Sequence, residues 1–210
     1  FKEGAGVFDL NFSIPQGKKI GFVGDNGSGK TTTLNLIFQI LKSDSGQILL
    51  DNEDIMNNLS QLSLVPDTQN LPKGFTLENF LSYIAEIRGF KPKEAVEKAD
   101  ELLKTFNLIE YKKTSLKSLS AGMKKRALLA SSLIGDVKYL FLDEPTANLD
   151  VGSRLDFLEI LEGLNKIGIT VFITSHIIDE LQHFINYLVV IDQGHIVHEK
   201  DFDSKKENIS

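Results

Sequence analysis

The chain has 210 residues, of which 41% are apolar and 25% charged, enough for one α/β domain with a sizeable core. Its net charge of −6 argues against an obligatory nucleic-acid binder, which carries a basic face. With no cysteine it has neither disulfides nor thiolate metal sites, a composition that suits a reducing compartment.

The predicted elements follow in chain order. Phe8, Leu10, Phe12 and Ile14 alternate with polar residues, which predicts a half-buried antiparallel strand ended by Pro15-Gln16-Gly17. Lys18 to Val23 is the next strand, and a helical pattern runs from Thr32 to Leu41. Gln47 to Leu50 and Leu62 to Val65 read as short strands. From Thr76 to about Thr105 the pattern is helical, with breaks at Gly89 and Pro92, and another helix starts near Ala121. Tyr139 to Leu142 and Ile169 to Ile173 are apolar without alternation, as in strands covered on both faces of a parallel sheet. Between them, Val151, Leu155, Leu158, Leu161 and Leu164 step at helical spacing. Tyr187 to Ile191 and His195 to Val197 flank Asp192-Gln193-Gly194 and predict a hairpin. The polar tail from Asp201 is expected to fray. No apolar stretch reaches the ~20 residues a membrane span needs, and no signal peptide is seen. Because residue 1 is Phe, the natural chain is expected to begin upstream.

Residues 24–31, GDNGSGKT, match G-x-x-x-x-G-K-[ST] between a strand and a helix. Gly24, Gly27 and Gly29 let the backbone wrap a phosphate chain, and the following helix turns its unpaired amides to the same anion. Lys30 can reach the β- and γ-phosphates, and the Thr31 hydroxyl can ligate Mg²⁺. Asp143 and Glu144 follow a buried strand, at the edge of the sheet where ligands bind. Asp143 can hold Mg²⁺ through water, and Glu144 can polarise an attacking water. Thr174-Ser175-His176 ends another such strand, within reach of a γ-phosphate.

Leu119-Ser120-Ala121-Gly122-Met123 resembles the LSGGQ signature of ATP-binding cassette ATPases. Residues 143–150, DEPTANLD, look like that family's Walker B and D-loop, and His176 resembles its switch histidine. The motif order matches over nearly the whole chain. The resemblance implies a single P-loop NTPase domain over residues 1–210, with a parallel core sheet, an N-terminal antiparallel lobe and a helical subdomain at about 70–135. It implies ATP and Mg²⁺, bound by Gly24, Asp25, Asn26, Gly27, Ser28, Gly29, Lys30, Thr31 and Thr32, with Phe1 where the family stacks adenine. Lys30, Glu144 and His176 would carry catalysis, and Thr31 and Asp143 the metal. Such domains dimerise head to tail, so Ser120, Gly122 and Asp150 would meet the nucleotide of a second cassette. Ser120 and Gly122 open a helix whose amides suit a γ-phosphate. Lys124-Lys125-Arg126 would either support that field or form a solvated helix face.

Ala121 and Met123 depart from the signature, and Asp67 stands where the family has its Q-loop Gln. Asp67 could still ligate Mg²⁺, and Gln69 is a nearby substitute. The Met and the compact length resemble bacterial drug- and antibiotic-type exporter subunits, which pair with a separate permease at the cytoplasmic face of the membrane. The alternative is a soluble cassette ATPase acting on ribosomes or DNA. The relatives of that kind carry a coiled-coil insertion or two cassettes, and neither is present here. A non-catalytic module is disfavoured by the presence of Lys30, Asp143, Glu144 and His176.

Overall fold

The computed structural model describes residues 6–67 and 71–203. Five strands lie parallel and a sixth closes the sheet antiparallel, in the order β4-β5-β6-β1-β7-β8. These are β1 (Lys19–Val23), β4 (Leu62–Val65), β5 (Tyr139–Leu142), β6 (Thr170–Ser175), β7 (Tyr187–Asp192) and β8 (His195–Asp201). A two-stranded antiparallel pair, β2 (Leu49–Leu50) and β3 (Glu53–Asp54), stands apart. The helices are α1 (Lys30–Ile37), α2 (Leu77–Ile87), α3 (Pro92–Thr105), α4 (Ala121–Ser132) and α5 (Val151–Lys166).

The parallel strands are apolar on both faces because both faces are covered. On one face Phe22, Phe141 and Phe172 stack across three strands, with centroids 5.2 and 5.1 Å apart, under Leu34 and Ile37 of α1. On the other, Val23, Leu140, Leu142, Val171 and Ile173 meet Phe157, Leu161 and Leu164 of α5 and the buried side of the helical lobe. Truncating one such Phe to Ala costs about 3–5 kcal/mol.

The helical lobe is punctuated as its sequence dictates. Thr76 caps α2, accepting from the Asn79 amide at 3.3 Å, and Pro92 opens α3 at a position where its missing N–H costs nothing. Glu94 reaches back to the Lys91 amide at 3.1 Å. Glu78, buried on α2, pairs with Lys112 and Lys113.

Two expectations need correction. Residues 8–14 form no strand. Asp9 sits at φ 48°, and the segment is tied down by single bonds, Phe8 N to Gly194 O and Ser13 N to Glu199 Oε1, rather than by a ladder. Its alternation still sorts its faces: Leu10, Phe12 and Ile14 pack on the core while Phe8 is exposed. The antiparallel pair nearest the N-terminus is therefore β2–β3. On α5 the apolar stripe is rotated: Val151 and Leu155 are exposed, and Phe157 takes the core position. The predicted frayed tail, beyond residue 203, lies outside the described residues.

Candidate nucleotide site

Strand register brings three loops together. Val23 pairs with Ser175, and Leu142 with Ile173, so the segments after β1, β5 and β6 leave the sheet side by side at its C-terminal edge. Those segments are the phosphate loop, Asp143-Glu144 and His176.

The phosphate loop is shaped by two glycines that no other residue can replace. A Cβ on Gly24 would stand 2.2 Å from the Ile191 carbonyl oxygen and 2.6 Å from Ser28 Oγ. Gly29 caps α1 at φ 112°, and its Cβ would stand 2.5 Å from Val7 Cγ1. Ser28 Oγ is buried with no hydrogen-bond partner among the described residues, a polar atom left for a ligand within the loop. Asp25, Asn26 and Gly27 line the exposed rim.

Lys30 is buried, and its ammonium spends its donors locally. It donates to the Gly24 carbonyl at 2.7 Å and the Asp25 carbonyl at 3.1 Å. Glu144 Oε1 lies 3.2 Å from the same nitrogen, an ion pair without hydrogen-bond alignment. A phosphate entering the loop competes for this ammonium with groups already holding it in place.

Asp143 is a buried carboxylate served by two hydroxyls. Thr31 Oγ1 donates to its Oδ2 at 2.9 Å, and Thr174 Oγ1 to its Oδ1 at 2.7 Å. Thr174 also accepts from the Glu144 amide at 2.9 Å, so one hydroxyl orients both acidic residues. A hydroxyl beside a carboxylate is the oxygen donor set that a hard cation such as Mg²⁺ takes, so Thr31 and Asp143 fit the metal. His176 Nδ1 lies 2.9 Å from Glu144 Oε2; an ionised carboxylate accepts, so Nδ1 carries the proton and Nε2 is left to other partners. Glu144 thus lies between Lys30 and His176, at a strained φ of 45°.

Other predicted residues lie elsewhere. Ser120 caps α4, accepting from the Met123 amide at 3.2 Å, and is exposed. Gly122 has room for a side chain, since its Cβ would meet only Ser153 at 3.7 Å. Asp150 caps α5 through the Ser153 amide at 3.0 Å; this bond and the Ser153 hydroxyl hold its carboxyl below the usual range. Asp67 is exposed after β4, and among the described residues no hydrogen bond joins it to Thr31 or Asp143. Phe1 and Gln69 lie outside the described residues.

The solvated-face reading of the basic cluster fails at Lys125, which is 5% exposed. Its ammonium donates to the carbonyls of Pro145 at 2.5 Å and Ala147 at 2.6 Å. Burial lowers its pKa, against the charges of Asp67, Glu144 and Glu180, which hold the proton on. Sequence pattern could not pick it out from Lys124, because both lie in one polar run on α4. Thr174 carried a signal, a hydroxyl at the end of a buried strand, but its two hydrogen bonds, donated to Asp143 and accepted from Glu144, needed the register of β5 and β6.

A phosphate loop on a parallel sheet, with a carboxylate pair and a histidine at the neighbouring strand ends, defines a P-loop nucleotide-binding protein. The model of the ABC transporter family matches residues 7–147. The linearmycin resistance ATP-binding protein LnrL of Bacillus subtilis is 31% identical over 195 residues, covering 91% of this chain and 63% of its own. CbiO1 from Clostridium perfringens, part of the ABC transporter complex CbiONQ, superimposes with a TM-score of 0.85 at 28% identity, covering 93% of this chain and 81% of that one. The cassette MJ0796, solved as a dimer bound to ADP and Pi, has a TM-score of 0.83 over 94% of this chain and 90% of that one, and at 23% identity it supports the fold alone. The chain belongs to the ABC transporter family. It spans less than two thirds of the length of LnrL. Among the described residues no helix is long and apolar enough to cross a membrane.

Proposed function

We propose that this chain is a single nucleotide-binding domain that hydrolyses ATP to drive a membrane permease carried on another chain, in the export direction. The observation that carries the reading is the placement of Glu144, held 3.2 Å from Lys30 and 2.9 Å from His176, one residue after the Asp143 that bonds Thr31. In this reading the loop from Gly24 to Thr32 binds the phosphates and Lys30 contacts the β- and γ-phosphates. Thr31 and Asp143 hold Mg²⁺, which when bound neutralises phosphate charge. Asp67 is the remaining candidate ligand. Glu144 orients a water in line with the γ-phosphate and accepts its proton, and His176 steadies Glu144 and the phosphate.

The second half of the reading is a dimer. Ser120, Gly122 and Asp150 are exposed or open, and among the described residues no hydrogen bond joins them to the chain's own phosphate loop. A second cassette in head-to-tail contact would bring its phosphate-bound nucleotide to them, with Phe1 stacking on adenine at the other end. The resistance function in LnrL's name supports export. The helical lobe would receive the permease, placing the cassette at the cytoplasmic face. The acidic net charge favours this over a nucleic-acid partner.

The test is Glu144→Gln. Gln keeps the size but cannot accept the proton, so ATP affinity is expected to survive while turnover falls about 10²- to 10⁴-fold. An ATP-bound dimer should accumulate on size exclusion. Turnover equal to the parent's would remove Glu144 from the chemistry.

A further inference from the structure

Between Glu144 and Leu149 the chain makes a tight turn that its residue types do not favour. Glu144 has φ 45° and Asn148 φ 61°, both left-handed without being glycine. Local bonds hold it only in part: the Ala147 amide donates to Glu144 O at 3.1 Å, and the Leu149 amide to Thr146 O at 3.3 Å. Two clamps complete it from outside. Glu180, after the switch histidine, accepts from Thr146 Oγ1 at 2.8 Å and pairs with Arg154 of α5 at 3.0 Å. Lys125 of α4 binds the Pro145 and Ala147 carbonyls that flank Thr146.

The second clamp has a direction. Lys125 lies on the helix that Ser120 caps, little more than one turn from that cap. Its ammonium is bonded to the same turn that carries the Glu144 carboxylate at its start and leads to Asp150 at its end. The side chain is buried, and a lysine that surrenders water in this way needs oxygen partners on every donor it can supply. Loss of the ammonium leaves the buried Pro145 carbonyl and the half-buried Ala147 carbonyl without this partner and a strained turn without its brace.

We propose that Lys125 is a positioning residue for hydrolysis: it locks the Glu144–Leu149 turn to the signature helix, so that the place of Ser120 sets the place of Glu144. The proposal rests on the reading of Glu144 as the carboxylate that orients water. Lys125 touches neither nucleotide nor metal in that reading, and acts through the two carbonyls alone. A group closing on Ser120 from across a dimer would then be felt at the water-orienting carboxylate through a rigid helix and two hydrogen bonds.

The experiment compares Lys125→Met, Lys125→Gln and Lys125→Arg in the full chain with Mg-ATP. Nucleotide-binding stoichiometry and Kd are measured by titration, and kcat is expressed per binding site, so that unfolded molecules do not count. Met and Gln are expected to lower kcat per site about 10- to 100-fold, the scale of a misplaced catalytic group, with Kd within about twofold of the parent. Arg, which keeps a charged donor, is expected to retain more of kcat than either. If Met reduces the number of binding sites, Gln carries the same comparison on the molecules that remain. Parental kcat per site in Met and Gln, or Arg impaired as deeply as both, would overturn the proposal. Glu144→Gln run alongside separates the two ideas: a turning-over Glu144→Gln sinks the role of Glu144, whereas an inactive one beside a parental Lys125→Met sinks only the role of Lys125.

Discussion

At the phosphate loop the charged side chains find their partners inside the chain, whereas at the signature end the polar groups cap their own helices and look outward. Lys30 is buried among two carbonyls and Glu144, and Asp143 among two hydroxyls. Ser120 and Asp150 are exposed, and the side chain of each bonds a residue three further on in its own helix. The difference teaches what one chain can complete. A phosphate cradle needs preorganised donors and so must be finished by folding. A surface that meets another molecule keeps its amides free until that molecule arrives.

The glycines sharpen the contrast. Gly24 and Gly29 are demanded by the chain itself: a Cβ on Gly24 would collide with the Ile191 carbonyl, and Gly29 sits at φ 112° against the Val7 side chain. Gly122 is not, because a Cβ there would make ordinary contact with Ser153. In the proposed reading, Gly122 would serve the close approach of a second cassette instead.

The strongest way to break this comparison is Lys30→Ala. It removes the one ammonium in the cradle, and a lost charge-assisted phosphate contact costs about 2–4 kcal/mol. Turnover is expected to disappear and ATP affinity to fall; unchanged hydrolysis by the purified variant would mean that Lys30 does not contact the phosphates. Gly122→Asp should act differently. Since the fold leaves room, the melting midpoint and the ATP affinity of the monomer should match the parent's. Turnover should drop about 100-fold, because the new carboxylate would face the γ-phosphate of the second cassette. A variant that instead unfolds, or that hydrolyses normally, would erase the distinction between the two ends.

The smallest effect concerns stability away from both ends. Glu78 is held below its ordinary value of 4.5, mainly by the Lys113 hydrogen bond and then by the Lys113 and Lys112 charges, with burial opposing. A carboxyl with a depressed folded-state pKa contributes stability that is present above its unfolded value and lost as pH falls through the folded one. Glu78→Gln should therefore lower the melting midpoint at pH 7, and the gap to the parent should narrow as the pH drops below about 4.5. ATP affinity should stay level throughout, as the helical lobe only carries the signature helix. A gap that stayed constant down to pH 3 would show that the Glu78 charge contributes nothing.

Much of the nucleotide site was legible in the residue order because its chemistry is local. Eight consecutive residues, 24–31, make the phosphate loop, and the positive φ of Gly27 and Gly29 is a local demand, although the space that excludes a Cβ at Gly24 is set by the distant Ile191. The buried strands announced themselves by continuous apolar runs, and the helical stretch from Thr76 by its pattern and by the breaks at Gly89 and Pro92. Alternation at Leu10, Phe12 and Ile14 also reported which side chains go inward. It could not report that no neighbouring backbone pairs with them, because a ladder is a property of two segments. The stripe on α5 erred for a related reason: a run of apolar residues at helical spacing names a face, but what lies opposite decides which apolar side chains are covered.

What the sequence determined by itself was the inventory: a phosphate loop, a carboxylate pair, a histidine and a signature, each on a predictable element and each recognisable from neighbours along the chain. Only the tertiary structure decided how they act on one another. The register of β5, β6 and β1 placed Thr174 between Asp143 and Glu144, and Glu144 between Lys30 and His176. The packing of α4 turned Lys125 from one of three basic neighbours into a buried clamp on the Pro145 and Ala147 carbonyls, while Lys124 stayed on the helix surface. The physical reason is that hydrogen bonds and ion pairs depend on distance in space. Those that join Asp143 to Thr31 and Lys125 to Ala147 span 112 and 22 positions of chain, over which no local pattern carries information.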